Sequence, residues 1–287
     1  MNATKAWPET LAGTLESGRH RLAETSESAA LDAEVLLMSA LDCNRSHLRA
    51  WPEKKLTPEQ THNYETLIER RQEGWPVAYL TGEREFWSRS FKVAPGVLIP
   101  RPDTECLIEL ALAATPVDQP ADLLDLGTGS GIIAITLAAE RPLARVVAVD
   151  ASPDALAIAQ SNAESIGTAN LSLLRGDWLA PLPPGDRFDL IVSNPPYISE
   201  DDAHLLQGDL RHEPRMALTS GPDGLTALRQ IIRDARHFLK PGGALLLEHG
   251  HDQADAVAEL INGSGYQQIT HHRDLQGHRR ATMARYG

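Results

Sequence analysis

The stretch ADLLDLGTGSG, residues 121–131, decides the fold class of this 287-residue chain. An apolar run with strand character ends in a loop that carries glycine at positions 127, 129 and 131, and a helical pattern follows it to residue 140. Glycines at alternate positions let the backbone turn tightly and approach a ligand without obstruction by a Cβ. A strand that passes through such a loop into a helix predicts an open α/β sheet, with its ligand beyond the carboxyl ends of the strands.

Strand and helix patterns continue to alternate after this unit. Strands are predicted at 121–126, 145–150, 170–174, 188–193 and 243–248, with helices near 131–140, 153–166, 224–239 and 251–262. Apolar strands separated by helices imply a mostly parallel, Rossmann-like sheet that is covered on both faces. The tail differs, because residues 266–272 and 279–286 have the pattern of two strands joined by a short turn. We expect an antiparallel C-terminal pair that closes the sheet.

The first part of the chain has a helical character instead. Five apolar residues are spaced as the buried stripe of a helix: Leu31, Val35, Leu36, Met38 and Leu41. Thr57-Pro58 is a helix start signal, and Gly74 is suited to end that helix. We therefore expect a small helical N-terminal domain over residues 1–83, a β-hairpin linker over 84–100 with its turn at Pro95-Gly96, and the sheet domain over 101–287.

The bulk composition argues against several classes of protein. The net charge is −12, which disfavours a large phosphate-binding surface and hence a nucleic-acid partner. Neither the two cysteines, Cys43 and Cys106, nor the histidines show a diagnostic metal spacing, so no metal is expected. The N-terminus has no apolar signal core and no stretch has the length of a membrane span. We expect a cytoplasmic protein, monomeric and without membrane attachment.

The glycine loop itself narrows the choice of ligand. A dinucleotide fingerprint needs a glycine at position 132, which is Ile, and a P-loop needs a lysine that is absent here. Asp125 within the motif opposes a pyrophosphate and suits a cation. Asp150, at the end of the next strand, can accept hydrogen bonds from ribose hydroxyls.

The end of the third strand adds a further pair of residues. Asp177 can accept from an adenine amine, while for Trp178 contact with adenine and simple core packing both remain open. A nucleoside with a positive charge and no phosphate fits this set, and S-adenosylmethionine is such a molecule. The alternative is a tight strand–helix turn that binds no ligand.

A second motif, Asn194-Pro195-Pro196-Tyr197, follows the fourth strand and therefore lies at the same sheet edge as the glycine loop. The side-chain oxygen of Asn194 and the carbonyl of Pro195 are two acceptors, which suit a planar –NH₂ group. The prolines restrict φ and supply no competing donor, and the Tyr197 ring can lie against a flat amide or base. An amide or aryl amine nitrogen is a weak nucleophile, so fixed geometry towards a methyl donor is what its reaction needs. A strand-ending turn is the other interpretation.

These motifs resemble those of the class I S-adenosylmethionine-dependent methyltransferases that act on planar nitrogens. Four further stretches are similar to the protein-(glutamine-N5) methyltransferases of the release-factor type, PrmC or HemK: IPRPDTE (99–105), SNPPYI (193–198), QGD…EP…AL (207–218) and LLLEHG (245–250). The resemblance covers nearly the whole chain, including the helical domain, to which we assign substrate recognition. It implies methylation of the glutamine in the Gly-Gly-Gln motif of peptide chain release factors, with S-adenosylhomocysteine as product.

The resemblance also implies roles for individual residues. Cofactor contacts are expected at Gly127, Thr128, Gly129, Ser130, Gly131, Asp150, Trp178 and Asn194. The substrate glutamine would meet Asn194, Pro195, Pro196 and Tyr197, of which Asn194, Pro195 and Tyr197 are the expected catalytic residues. The alternatives are an amino-methyltransferase of adenine or guanine in a nucleic acid, a non-catalytic adenosylmethionine sensor and, with a misplaced third glycine, a dinucleotide oxidoreductase.

Overall fold

The computed structural model describes residues 7–287, so the first six residues of the expected 1–83 domain lie outside the described part. The chain forms two compact units. One comprises the described residues up to Gly82 together with Leu206–His212, and the other comprises Glu83–Leu205 and Glu213–Gly287. Within the described residues, no helix has the length and apolar character needed to cross a membrane.

The first unit is helical. Its helices are α1 (Leu11–Leu22), α2 (Ala29–Leu41), α3 (Arg45–Ala50), α4 (Pro58–Gln72) and α5 (Val77–Thr81). Helix α4 begins as the sequence predicts, because Thr57 and Gln60 cap each other reciprocally. It ends before Gly74, which has a φ of +89°. Segment 206–212 joins this unit through an ion pair between Arg71 and Asp209 at 2.9 Å.

The buried face of α2 differs from the predicted stripe. Leu31 is 51% exposed, whereas the helix buries Ala33, Leu36 and Leu37 together with Asp32. The carboxylate of Asp32 accepts from Ser26, Ser28 and the Nε of Arg71. Leu36 of the predicted stripe is buried, and Met38 and Leu41 pack against the same core, so the prediction is confirmed for these three and wrong for Leu31.

The second unit contains the sheet. Its strands are β1 (Glu83–Phe86), β2 (Arg89–Lys92), β3 (Asp122–Leu126), β4 (Arg145–Asp150), β5 (Leu171–Arg175), β6 (Phe188–Ser193), β7 (Leu239–Glu248), β8 (Tyr266–Arg273) and β9 (Arg279–Tyr286). Its helices are α6 (Glu105–Ala114), α7 (Ile132–Glu140), α8 (Pro153–Ile166), α9 (Arg215–Leu218), α10 (Thr226–Ala235) and α11 (Ala254–Gly263). A short 3₁₀ helix at Pro102–Thr104 belongs to this unit, Gly208–His212 belongs to the first unit, and Ala203–Leu206 ends at the first residue of the segment assigned to the first unit.

The seven-stranded sheet has the order β5-β4-β3-β6-β7-β9-β8. Strands β3 to β7 pair in parallel, whereas β9 pairs antiparallel with both β7 and β8. This confirms the predicted α/β class, the mostly parallel sheet and the antiparallel C-terminal pair. Successive residues of one strand enter opposite cores: Val146 and Ala148 pack on one face, Val147 and Val149 on the other.

The β-hairpin of β1 and β2 differs in detail from the expectation. Its turn lies at Trp87-Ser88, where both residues have positive φ, and not at Pro95-Gly96. Phe86 and Phe91 of this hairpin are buried and contact each other edge-on, so they join the sheet's core. Burial of these two rings fixes the register of β1 and β2. Pro95-Gly96 also forms a turn, because the Val97 N–H donates to the Ala94 carbonyl at 3.2 Å and Gly96 has a φ of +116°, but this turn follows β2 and does not close the hairpin.

Candidate active site

The candidate site is at the carboxyl edge of the parallel strands. Strand β3 pairs with β4 on one side and with β6 on the other, so the chain reverses its winding direction at β3. In sheets of this kind, ligands bind in the crevice at such a switch point. The loops that leave β3, β4, β5 and β6 all contribute to one pocket at this edge.

The glycine loop after β3 has the backbone shape that its sequence predicts. Gly127, Gly129 and Gly131 have φ values of +71°, +56° and +87°, a region that favours glycine. A Cβ at Gly129 would meet no atom within 4 Å, so this glycine leaves open space beside the pocket. A Cβ at Gly131 would lie 2.6 Å from Ile135 Cδ1, so this glycine instead permits close packing of α7.

Asp150 connects the glycine loop to the end of β4. Its Oδ2 accepts from the Gly129 N–H and its Oδ1 from the Ser152 N–H, both at 2.8 Å. Each carboxylate oxygen has a second lone pair available to a ligand. Because Asp150 lines the pocket, these lone pairs can receive neighbouring hydroxyl groups such as those of a ribose.

Trp178 packs in the core and also lines the pocket, so its contact with adenine stays a prediction. Its ring packs so closely on the loop that a Cβ at Gly127 would lie 3.3 Å from it, and it also packs against the core of the sheet. The same side chain lines the pocket beside Asp177. An indole that is fixed on one side can cover a planar base with its other surface.

The charges of the pocket discriminate between ligands. Among the described residues that line it, Asp150 and Asp177 are acidic and none is Lys, Arg or His. A phosphate would find no cationic partner there, whereas a ligand with a positive charge is favoured. The residues present therefore fit a phosphate-free, cationic nucleoside.

The Asn-Pro-Pro-Tyr turn is held at the end of β6 from several sides. Ser193 Oγ donates to the Leu126 carbonyl at 2.7 Å, which ties the ends of β6 and β3 together. On the far side, Gln253 Nε2 donates to the Tyr197 carbonyl at 2.9 Å. Asn194 and Pro196 line the pocket. The turn is thus anchored by contacts outside the motif, so its acceptors are held in place before a ligand binds.

A buried acid lies behind this turn. Glu248, the last residue of β7, is 1% exposed and accepts from Thr104 Oγ1 at 2.9 Å and from the Tyr197 hydroxyl at 3.2 Å. Burial raises the pKa of Glu248 to about 7, against the lowering effects of its two hydrogen bonds and of Arg280. Burial also raises the pKa of Tyr197, so its hydroxyl remains protonated and donates.

Comparison with known families accounts for both units. Residues 14–82 match the model of the PrmC N-terminal domain, and residues 118–286 match that of a methyltransferase domain. A release factor glutamine methyltransferase from Shewanella oneidensis is 47% identical over 276 residues, which cover 96% of each chain. The enzyme of that name from Escherichia coli is 47% identical over 263 residues, 92% of this chain and 94% of the relative.

The chain belongs to the release factor glutamine methyltransferase family. A further member, from Coxiella burnetii, is 45% identical and covers 93% of this chain and 95% of its own length.

Solved structures confirm the fold of the methyltransferase unit. A methyltransferase from Pyrococcus furiosus superposes with a TM-score of 0.55 at 16% identity, over 78% of this chain and 99% of its own. The 16S rRNA N2 G1207 methyltransferase of T. thermophilus gives a TM-score of 0.53 at 21% identity, over 71% of this chain and 50% of its own. Likeness at such low identity establishes the class I methyltransferase fold and no substrate.

The pocket brings together part of the residue set that the sequence assigned. Its lining includes Gly127, Gly129, Asp150, Trp178, Asn194 and Pro196. The other assigned residues are not among the lining: Thr128, Ser130, Gly131, Pro195 and Tyr197. Thr128 and Ser130 are buried and bond to Asp125 and Asn162, respectively. The roles of all these residues in binding and catalysis stay predictions.

Sequence reasoning did not assign two parts of this site. Val97 and Leu98 line the pocket from the segment after β2, and Met216 and Ala217 line it from α9. Neither pair has a chemical signature. Val97 and Leu98 lie outside the stretches that carry the family resemblance, so only the fold identifies them, whereas Met216 and Ala217 lie within the stretch 207–218. Thr104 belongs to the IPRPDTE stretch and Glu248 to LLLEHG, so the family resemblance did point to these segments without giving a role.

Proposed function

We propose that this protein transfers the methyl group of S-adenosylmethionine to the side-chain amide nitrogen of the glutamine in the Gly-Gly-Gln motif of peptide chain release factors. One observation carries the proposal: in a chain that matches a member of this family over 96% of its length, Asn194 lines the same pocket as the glycine loop and Asp150. A nitrogen held by the Asn-Pro-Pro-Tyr turn would therefore lie beside the bound methyl donor. We expect the reaction in the cytoplasm, because translation terminates there.

The cofactor would be held by residues of the pocket at the carboxyl edge of the sheet, whose lining fits a cationic nucleoside without phosphate. Asp150 would accept from the ribose hydroxyls, Trp178 would cover the adenine, and Asp177 would accept from the adenine amine. Bound there, the sulfonium compound supplies an electrophilic methyl group. The acidic side chains of the pocket would stabilise the positive charge of the sulfonium electrostatically.

The turn after β6 would prepare the nucleophile. The oxygen of Asn194 and the carbonyl of Pro195 would each accept one N–H of the substrate amide, which orients the nitrogen lone pair. Neither Pro195 nor Pro196 has an N–H that competes for these acceptors. The ring of Tyr197, held by the bond from its hydroxyl to Glu248, would lie against the flat amide. Acceptors held in place in advance also stabilise the positive charge that develops on nitrogen.

A labelling experiment tests the proposed substrate. Labelled S-adenosylmethionine is supplied with a release factor, with its glutamine-to-alanine variant and, separately, with DNA or RNA. Label on the release factor alone, lost in the alanine variant, is the expected result. Label on nucleic acid alone would contradict the proposal and favour the adenine or guanine amino-methyltransferase. Tight cofactor binding without transfer to any of them would contradict it in favour of the sensor.

The variant Asn194→Ala tests the role of the turn. Removing one preorganised hydrogen-bonding group from an active site lowers kcat by roughly 100- to 1,000-fold in known enzymes. We expect a loss of that order in methyl transfer, while much of the cofactor affinity, measured by calorimetry, remains. Asn262→Ala is the matched control, because Asn262 is exposed at the end of α11 and outside the pocket. An unchanged kcat in Asn194→Ala would refute the assigned role.

A further inference from the structure

A chain of polar side chains from three separate elements lies behind Asn194. Asn194 Nδ2 donates to Thr104 Oγ1 at 3.2 Å, and Thr104 Oγ1 donates to Glu248 Oε2 at 2.9 Å. The other oxygen of Glu248 accepts from the Tyr197 hydroxyl at 3.2 Å. Thr104 is fully buried and Glu248 is 1% exposed, so water does not compete for these bonds.

The chemistry of the three groups sets the direction of this chain. An ionised carboxylate only accepts, so the single proton of the Thr104 hydroxyl is directed to Glu248. The hydroxyl oxygen can then only accept from Asn194, which requires the –NH₂ side of that amide to face Thr104. The oxygen of the Asn194 amide is consequently the atom left available to a ligand. The orientation of the amide thus follows from its hydrogen-bond partners and does not depend on telling its two ends apart by shape.

On the basis of the proposed glutamine methylation, we infer that Thr104 and Glu248 are positioning residues that hold the Asn194 amide with its oxygen towards the substrate nitrogen. The reversed amide would present –NH₂ to –NH₂, so the turn would repel the group it has to bind. One carboxylate thereby controls two parts of the turn, because it fixes the Asn194 amide through Thr104 and the Tyr197 ring directly.

Protonation of Glu248 would reverse the chain of donors. A proton on Oε2 would be donated to Thr104, whose own proton would turn towards Asn194 and favour the reversed amide. Besides Thr104 and Tyr197, the groups that act on Glu248 are the cation Arg280 and the anion Asp103, and the thiol of Cys106 is also near enough to couple to it. The raised pKa of Glu248, about 7, puts this reversal within an accessible pH range. We expect the wild-type kcat to fall on the acid side of that value.

Substitutions of Thr104 separate positioning from simple packing. Thr104→Val removes the hydroxyl at nearly constant volume, and we expect kcat to fall roughly 10- to 100-fold because a misplaced reacting group has effects of that order. Thr104→Ser retains the hydroxyl and should restore most of the rate. Cofactor affinity should stay near the wild-type value in both variants.

Thr136→Val is the matched control for these variants. Thr136 is fully buried in α7, and its hydroxyl has no hydrogen-bond partner among the described residues. The Thr136→Val variant therefore loses a buried hydroxyl that takes no part in the hydrogen bonds behind Asn194. Its kcat should equal that of the wild type. A Thr104→Val kcat equal to that of Thr136→Val, or a Thr104→Ser kcat as low as that of Thr104→Val, would overturn the inference.

The pH profile gives a second test that does not depend on the folding of the Thr104 variants. Glu248→Gln keeps the size of the side chain but cannot titrate, so the acid-side fall in kcat should disappear. A fall that persists in this variant, or a wild-type kcat that is flat across the range, would overturn the inference. If wild-type protein transfers no label to a release factor, the proposed function fails instead, so the two failures are distinguishable.

Discussion

The pH dependence of stability should reveal a second buried acid, beneath the glycine loop. Asp125 is 1% exposed, and its Oδ2 accepts from Thr128 Oγ1 at 2.6 Å and from the Ala134 N–H at 3.2 Å. Its Oδ1 has no hydrogen-bond partner among the described residues. Burial raises the pKa of Asp125 from 3.8 to about 7, because its two hydrogen bonds do not offset the loss of water and the nearby Asp150 adds repulsion.

The sign and size of the effect follow from these two pKa values. In the unfolded chain the Asp125 carboxyl loses its proton above pH 3.8. In the folded chain the carboxyl keeps its proton up to about pH 7. Between these values the folded state binds more protons, so the free energy of unfolding falls as the pH rises. At about 1.4 kcal/mol per pKa unit, the stabilisation present below pH ~4 and lost by pH ~7 is on the order of 4 kcal/mol.

The test compares wild type with Asp125→Asn by urea denaturation at several pH values. Asn does not titrate. Between pH ~4 and pH ~8, the free energy of unfolding of the variant should therefore fall by about 4 kcal/mol less than that of wild type. The contribution of Glu248 is the same in both proteins and cancels in the difference. Asp118→Asn, an exposed control, should keep the wild-type dependence. Parallel curves for wild type and Asp125→Asn would refute the reasoning.

Three further outcomes are expected. Asp150→Asn should weaken cofactor binding by roughly 10- to 100-fold in calorimetry, since hydrogen bonds to charged groups contribute about 1.5–3 kcal/mol; an unchanged affinity would contradict the ribose assignment. Gly224→Ala should lower both the melting temperature and the rate of methyl transfer, because the added Cβ would lie 2.3 Å from the Tyr197 carbonyl oxygen. Gly277 has a similar positive φ but open space around it, so the control Gly277→Ala should leave methyl transfer intact. Thr57→Ala should destabilise the helical unit by about 1 kcal/mol in urea denaturation and leave kcat near the wild-type value, because it removes the cap of α4.

Local features of this protein are readable from sequence because they depend on neighbours a few residues away. The start of α4 at Thr57 needs only Gln60, three positions on, and the shape of the glycine loop needs only the missing Cβ atoms. The strand and helix patterns likewise depend on local periodicity, so the α/β class and the antiparallel end of the sheet were predicted correctly. The turn of the first hairpin was not, since Pro95-Gly96 forms a turn after β2, whereas the hairpin that buries Phe86 and Phe91 closes at Trp87-Ser88.

The sequence by itself determined which chemical groups reach the carboxyl edge of the sheet, because strand ends and their loops follow from local pattern. Only the tertiary structure decided how those groups are oriented. The amide of Asn194 is held by Thr104, 90 positions earlier, and Thr104 by Glu248, 144 positions further on. No local pattern encodes contacts at such separations, and the direction of a hydrogen bond depends on which partner can donate once both are buried.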